Sequence, residues 1–338
     1  MSNLNRRRFV QGTAALSLAG LSGLSRHVSA AEHVYKFGSN LPATHPLNVR
    51  MQEAATKVLQ ESGGKVEIRV FPNNQLGGDT DMLSQLRSGA LEMFTLSGNI
   101  LSTLSKPTSL YGVGYAFSGY KQVWAAVDGD LGNHLRGLIG KLGLQALDKM
   151  WDNGFRQITS STHPIDTPED LKGFKIRVPV SPQWTSLFKA LGASPTSINF
   201  NEVYSALQTK IVDGQENAIQ LIENAKLYEV QKFVSITNHM WDGFFFLVNG
   251  RAWAKLPAPL QEIVARNINA AALKEREDLA GLNKAAEEKL KKAGMVFNRT
   301  DPAKFRAVLS GAGYYKEWKS TFGPEAWALL EKYSGKLD

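Results

Sequence analysis

Apolar positions along the chain repeat with two periods, and the switch between them marks out elements. Val34-Tyr35-Lys36-Phe37-Gly38 alternates, as does Lys65 to Val70, and both predict strands. Between them Val49 to Gln60 carries helical spacing and stops at Gly63-Gly64. Gln75-Leu76-Gly77-Gly78-Asp79 predicts a turn into a helix from Thr80 to Arg87, and Leu91 to Leu96 predicts a more buried strand. Further on, Leu144 to Met150 and Phe155 to Thr159 predict strands around Trp151-Asp152-Asn153-Gly154. Ala218 to Glu229 predicts a helix, and Phe233 to His239 and Phe244 to Asn249 two more strands. Pro257 to Lys292 predicts one long helix with Leu260, Ile263, Val264 and Ile268 on one side. Shorter helices are expected around Phe305 to Leu309 and Trp318 to Tyr333. Strands alternating with helices argue for an α/β fold with mainly parallel sheets.

The stretch Phe174 to Asn217 carries the candidate chemistry. Phe174, Ile176 and Val178 share one face of a strand, which turns Arg177 to the other. Ser181 as cap and Pro182 at the first position predict a helix. Its stripe is Trp184, Leu187, Phe188 and Leu191, and Gly192 ends it. Asn199-Phe200-Asn201-Glu202 leads into a second short helix, and Asp213-Gly214-Gln215-Glu216-Asn217 predicts a tight turn followed by an amide. A guanidinium at a strand end suits a small anion, because its planar fork matches a carboxylate with two parallel hydrogen bonds.

Three words in this stretch carry a resemblance: Leu171-Lys172-Gly173-Phe174-Lys175-Ile176-Arg177-Val178-Pro179, Phe200-Asn201-Glu202-Val203-Tyr204-Ser205-Ala206-Leu207-Gln208-Thr209, and Val212-Asp213-Gly214-Gln215-Glu216-Asn217. In this order and spacing they resemble the substrate-binding proteins of TRAP transporters, the DctP-type periplasmic receptors for organic acids. The resemblance implies an α/β fold of the two-lobe periplasmic binding protein type, with a hinge between lobes and a long bracing helix. On that reading residues 32–150 with about 240–260 form one lobe and 151–239 the other, and the helices of 257–338 pack on both. It further implies a small organic acid as ligand, TRAP permease membrane subunits as partners, no cofactor and a monomer.

Site residues follow from the same resemblance. Arg177 matches the arginine that grips the ligand carboxylate, and Arg156 the assisting one; two buried cations also need anions as partners. Asn217 matches the amide that donates to the carboxylate or bonds a hydroxyl, and Phe200 the aromatic wall. Asn40 and Asp79 match positions lining the cleft from the other lobe, although Asp79 is equally placed to cap the helix beginning near Thr80. Ser97 and His45 are further candidates, as are Asn153 and the aromatic residues Trp151, Trp184, Trp241 and Phe244. Asp242 and His239 are placed to meet ligand hydroxyls.

Composition narrows the alternatives. The absence of cysteine excludes disulfides, thiolate metal sites and a cysteine nucleophile. Residues 1–31 have the three-part build of an export signal: Arg6-Arg7-Arg8-Phe9-Val10 of twin-arginine type, an apolar run from Ala14 to Leu24, and small residues at Val28-Ser29-Ala30. This places the mature chain in the periplasm. Its formal charge drops from +8 to +4 once four leader arginines leave. No basic run with interleaved aromatics appears, which argues against nucleic acid. Among catalytic signatures there is no G-x-S-x-G elbow, no P-loop, no complete G-x-G-x-x-G and no metal spacing of histidines. The rival readings are a binding protein of an ATP-driven or sensor system and, behind that, a periplasmic enzyme acting on organic acids.

Overall fold

The computed structural model describes residues 31–337, so the expected export signal lies outside the described residues. The strands are β1 (His33–Gly38), β2 (Val66–Phe71), β3 (Met93–Ser97), β4 (Leu144–Ala146), β5 (Trp151–Ser160), β6 (Lys175–Val178), β7 (Ser194–Ser197), β8 (Gly214–Ala218), β9 (Phe233–Ile236), β10 (Trp241–Asn249) and β11 (Val296–Arg299). They form one sheet in the order β2-β1-β3-β10-β5-β8-β6-β7, with β4 beside β10, β9 beside β5 and β11 beside β9. Pairing is parallel towards both ends of the sheet, where β1 joins β2 and β3, and β6 joins β7 and β8. The central strands β10 and β5 run antiparallel to their neighbours and to each other. Helices cover the faces. Every residue of β10 is buried, and its run Phe244 to Val248 has the near-continuous apolar character of a strand packed on both sides.

Two features of the centre depart from the sequence reading. Trp151-Asp152-Asn153-Gly154 is not a turn between strands but the opening of the ten-residue β5. Gly154 takes φ +108° there, a conformation that other residues adopt at a cost. The register of β10 against β5 shifts between Asp242 and Gly243, so a bulge sits where the two strands meet.

The helix Ala258–Lys292 runs the length expected of it. Its buried positions include Val264, Ile268, Ala271, Ala272, Glu275, Leu279, Ala286 and Leu290, most of them three, four or seven residues from another. It is tied to the helix Pro46–Glu61 by Arg50 to Asp278, to the start of β5 by Asp152 N–H to Glu275, and to the helix Ile219–Asn224 by Gln220 to the Leu279 carbonyl. Among the described residues no helix is long and apolar enough to cross a membrane.

Candidate functional site

Arg177 stands on β6, between Thr196 of β7 and Gln215 of β8. It is 1% exposed. Its Nε donates to the Ile198 carbonyl at 2.8 Å, and among the described residues its terminal nitrogens have no protein acceptor. Burial pulls its pKa down to about 10, against the nearby charges of Glu216 and Asp79. A buried guanidinium with its fork unpaired is costly, and an anion offering two oxygens is what would relieve it.

Arg156 lies two strands away on β5, pairing with Ala218 of β8. Glu216 is two residues from Ala218 and therefore shares its face. The Arg156 guanidinium forks onto that carboxylate, Nε to Oε2 at 2.5 Å and Nη2 to Oε1 at 2.8 Å, and its Nη1 is 3.6 Å from Asp242. His239 Nε2 is 3.0 Å from the same Glu216 oxygen. Burial works to raise the Glu216 carboxyl, but Arg156 and His239 outweigh it and hold it below the usual range. The two arginines thus differ: Arg156 already has its anion and Arg177 does not.

Both residues line one narrow cavity. Arg156, Arg177, Asn217, Phe200, Trp184 and Pro179 form one side, and Asn40, Asp79, Ser97, Ile100 and Phe244 another, with Asn153, Asp242 and Leu221 completing it. Asp79 is 2% exposed. It accepts from Asn40 Nδ2 at 2.8 Å, and burial pushes it up to about 6 despite Arg177 and the Phe200 N–H. Asp242 accepts from Ser97 at 2.6 Å, Tyr111 at 3.0 Å and Asn153 at 3.0 Å. The helix leading from Asp79 and the loop before Phe200 also meet directly, Asn199 Nδ2 donating to Thr80 Oγ1 at 2.9 Å.

The sequence matches the family described as bacterial extracellular solute-binding protein, family 7 (DctP), over residues 37–319. The chain belongs to this family. A curated relative, the 2,3-diketo-L-gulonate-binding periplasmic protein YiaO of Escherichia coli K12, is 31% identical over 283 residues, spanning 84% of this chain and 86% of the relative. Two crystal structures of TRAP periplasmic solute-binding proteins share the fold. One, from Sulfurospirillum deleyianum with bound succinate, has a TM-score of 0.84 at 28% identity and covers 90% of this chain and 99% of that one. The other, from Polaromonas sp. JS666 bound to D-erythronate, has a TM-score of 0.85 at 26% identity and covers 90% and 100%.

In this family 7 protein the sequence-expected residues divide by place. Arg177, Arg156, Asn217, Phe200, Asn40, Asp79, Asn153 and Ser97 all come together at the cavity. Trp151 and Trp241 do not. Trp151 is fully buried in the core, in one apolar cluster with Phe246 and Ala272, and Trp241 packs on Tyr111 and Trp124 while its Nε1 donates to Asp152 at 2.8 Å. Asp79 is not the helix cap: Gly78 holds that position, Asp81 accepts from its N–H at 3.0 Å, and Asp79 is left to face the cavity. His45 caps the helix Pro46–Glu61, accepting from Leu47 N–H through Nδ1, and burial lowers its pKa to about 3. Ser181 occupies the cap position before Pro182 without making the capping bond. Asn217 sits within β8 rather than in a turn. The Glu216 pairing was hidden in the sequence by its place one residue before Asn217, where only the strand register reveals that it faces Arg156.

Proposed function

We propose that this family 7 protein is the periplasmic receptor of a TRAP transporter, taking a small organic carboxylate in the cavity around Arg177 and presenting it to a membrane permease. The observation that carries this is the unpaired fork of a fully buried arginine lining the cavity, beside a second arginine whose charge is already met. The ligand carboxylate takes the place of the missing anion. Asn217 adds a polar contact and Phe200 an apolar wall. Residues on opposite sides of the cavity touch the same ligand, so binding favours the shut arrangement; moving a two-state hinge from about 1% to 99% closed takes roughly 5.5 kcal/mol of differential affinity. The protein binds and releases its acid unchanged, which fits relatives that are binding proteins for transport.

The test is a thermal-shift screen of the mature chain against organic acids, repeated on Arg177→Ala. One or more acids should raise the melting temperature of the wild type and none that of the variant. An acid that stabilises both equally would remove Arg177 from the site.

A further inference from the structure

The cavity's polar atoms are sorted by type. Among the described residues its one cation without a protein anion is Arg177. Beside it the lining holds the unpaired indole N–H of Trp184 and, on the side of Asn40 and Asp79, a group of acceptors. Asn40 must turn its Nδ2 to the Asp79 carboxylate and Asn153 its Nδ2 to Asp242, because a carboxylate can only accept. The amide orientations are therefore fixed, and each presents its oxygen. Both oxygens, Asn40 Oδ1 and Asn153 Oδ1, are buried with no hydrogen-bond donor among the described residues. The carboxylates of Asp79 and Asp242 line the same cavity. Arg156 has its charge met by Glu216 through Nε and Nη2, and its Nη1 lies 3.6 Å from Asp242.

We infer that the ligand carries a single carboxylate and a hydroxylated remainder, a small hydroxy or sugar acid, and that a second carboxylate is excluded. This rests on the receptor reading above and names the ligand class of that site. Hydroxyl groups donate to Asn40 Oδ1 and Asn153 Oδ1, satisfying acceptors that would otherwise stay unpaired at a cost. A second carboxylate would meet two carboxylates and two amide oxygens with no unpaired cation to receive it. An alkyl chain would leave both amides unsatisfied.

Titration calorimetry on matched acids tests this. The four-carbon set is erythronate and threonate, succinate and butanoate; the six-carbon set is gluconate and galactonate, galactarate and hexanoate. In the set that binds, a hydroxylated monocarboxylate is expected to bind at least tenfold more tightly than both the dicarboxylate and the alkyl acid. Asp79→Asn should narrow the deficit of the dicarboxylate severalfold. If a dicarboxylate or alkyl acid matches or exceeds every hydroxy acid, and Arg177→Ala abolishes its binding, the ligand class is overturned while the receptor reading stands. If no acid in either set binds the wild-type chain, both are overturned.

Discussion

Arg156 and Arg177 are the same residue type at the same depth, and the presence or absence of one anion gives their substitutions opposite expected effects. Arg177→Ala removes a buried cation that has no protein anion, so the ligand-free fold should melt no lower than the wild type, while affinity for the ligand falls at least a hundredfold. Arg177→Lys keeps the charge but loses the fork, and an intermediate loss of about tenfold is expected. Glu216→Gln strands Arg156 instead. Removing one partner of a buried pair typically costs about 3–5 kcal/mol, and denaturant unfolding of the ligand-free variant should show a loss of that size. A Glu216→Gln protein as stable as the wild type would mean that Asp242 compensates the arginine unaided.

At the scale of elements, the site depends on a broken alternation. Residues three apart on a regular strand face opposite sides, yet Asn153 and Arg156 of β5 both line the cavity. Gly154 lies between them at φ +108°, and a Cβ there would stand 3.3 Å from Ala218 Cβ. Gly154→Ala should cost about 2 kcal/mol in denaturant unfolding with an unchanged m-value, and should also weaken ligand binding by displacing Asn153 relative to Arg156. A variant with wild-type stability and affinity would show that the kink is dispensable. The same glycine explains where sequence reasoning failed. Period-two strands such as β2 and the long amphipathic helix were legible because one face of each is buried. Trp151 to Gly154 read as a turn because a glycine beside Asp and Asn favours turns, and only pairing with β10 makes it strand. Residues 98–143, where short helices follow one another without long periodicity, suggested no element at all. Arg177 and Asn217 were legible through the words they belong to. The roles of Asp81 as acceptor for the cap's N–H and of Glu216 as counter-ion were not, because both depend on the direction a side chain takes in the assembled fold.

For the whole molecule, the long helix, β5 and β10 converge on a second group of buried charges, separate from the cavity's clamp. Glu275 accepts from the Asp152 N–H at 3.0 Å, and its Oε1 is buried without a partner among the described residues. Burial, reinforced by the neighbouring Asp152, raises Glu275 well above the usual carboxylate range; burial likewise lifts Asp152 to about 7 against the donors Trp241 and Tyr120. Arg276 does not neutralise them, being engaged with Asp128 at 2.7 Å and the Met150 carbonyl. Both carboxyls therefore hold protons in the fold that the unfolded chain, titrating near 4, has released. The folded state binds more protons, so stability is fully present below the unfolded pKa and declines as pH rises through the folded value. Between pH 4 and 6.5 this decline is opposed by His45, which burial holds at about 3, and by His239, which burial also lowers, because both take up protons more readily once unfolded. Above pH 6.5 that opposition ends, because the unfolded histidines are neutral too. The melting temperature of the ligand-free protein should therefore fall from pH 6.5 to 8, at about 1.4 kcal/mol per pH unit for each proton retained. Glu275→Gln keeps an acceptor for the Asp152 N–H and removes the titrating group. Its melting temperature should exceed that of the wild type at pH 8, and the slope above pH 6.5 should flatten. A wild-type profile that rises over this interval, or a Glu275→Gln slope equal to it, would show that this carboxyl pair does not set the molecule's response to alkali.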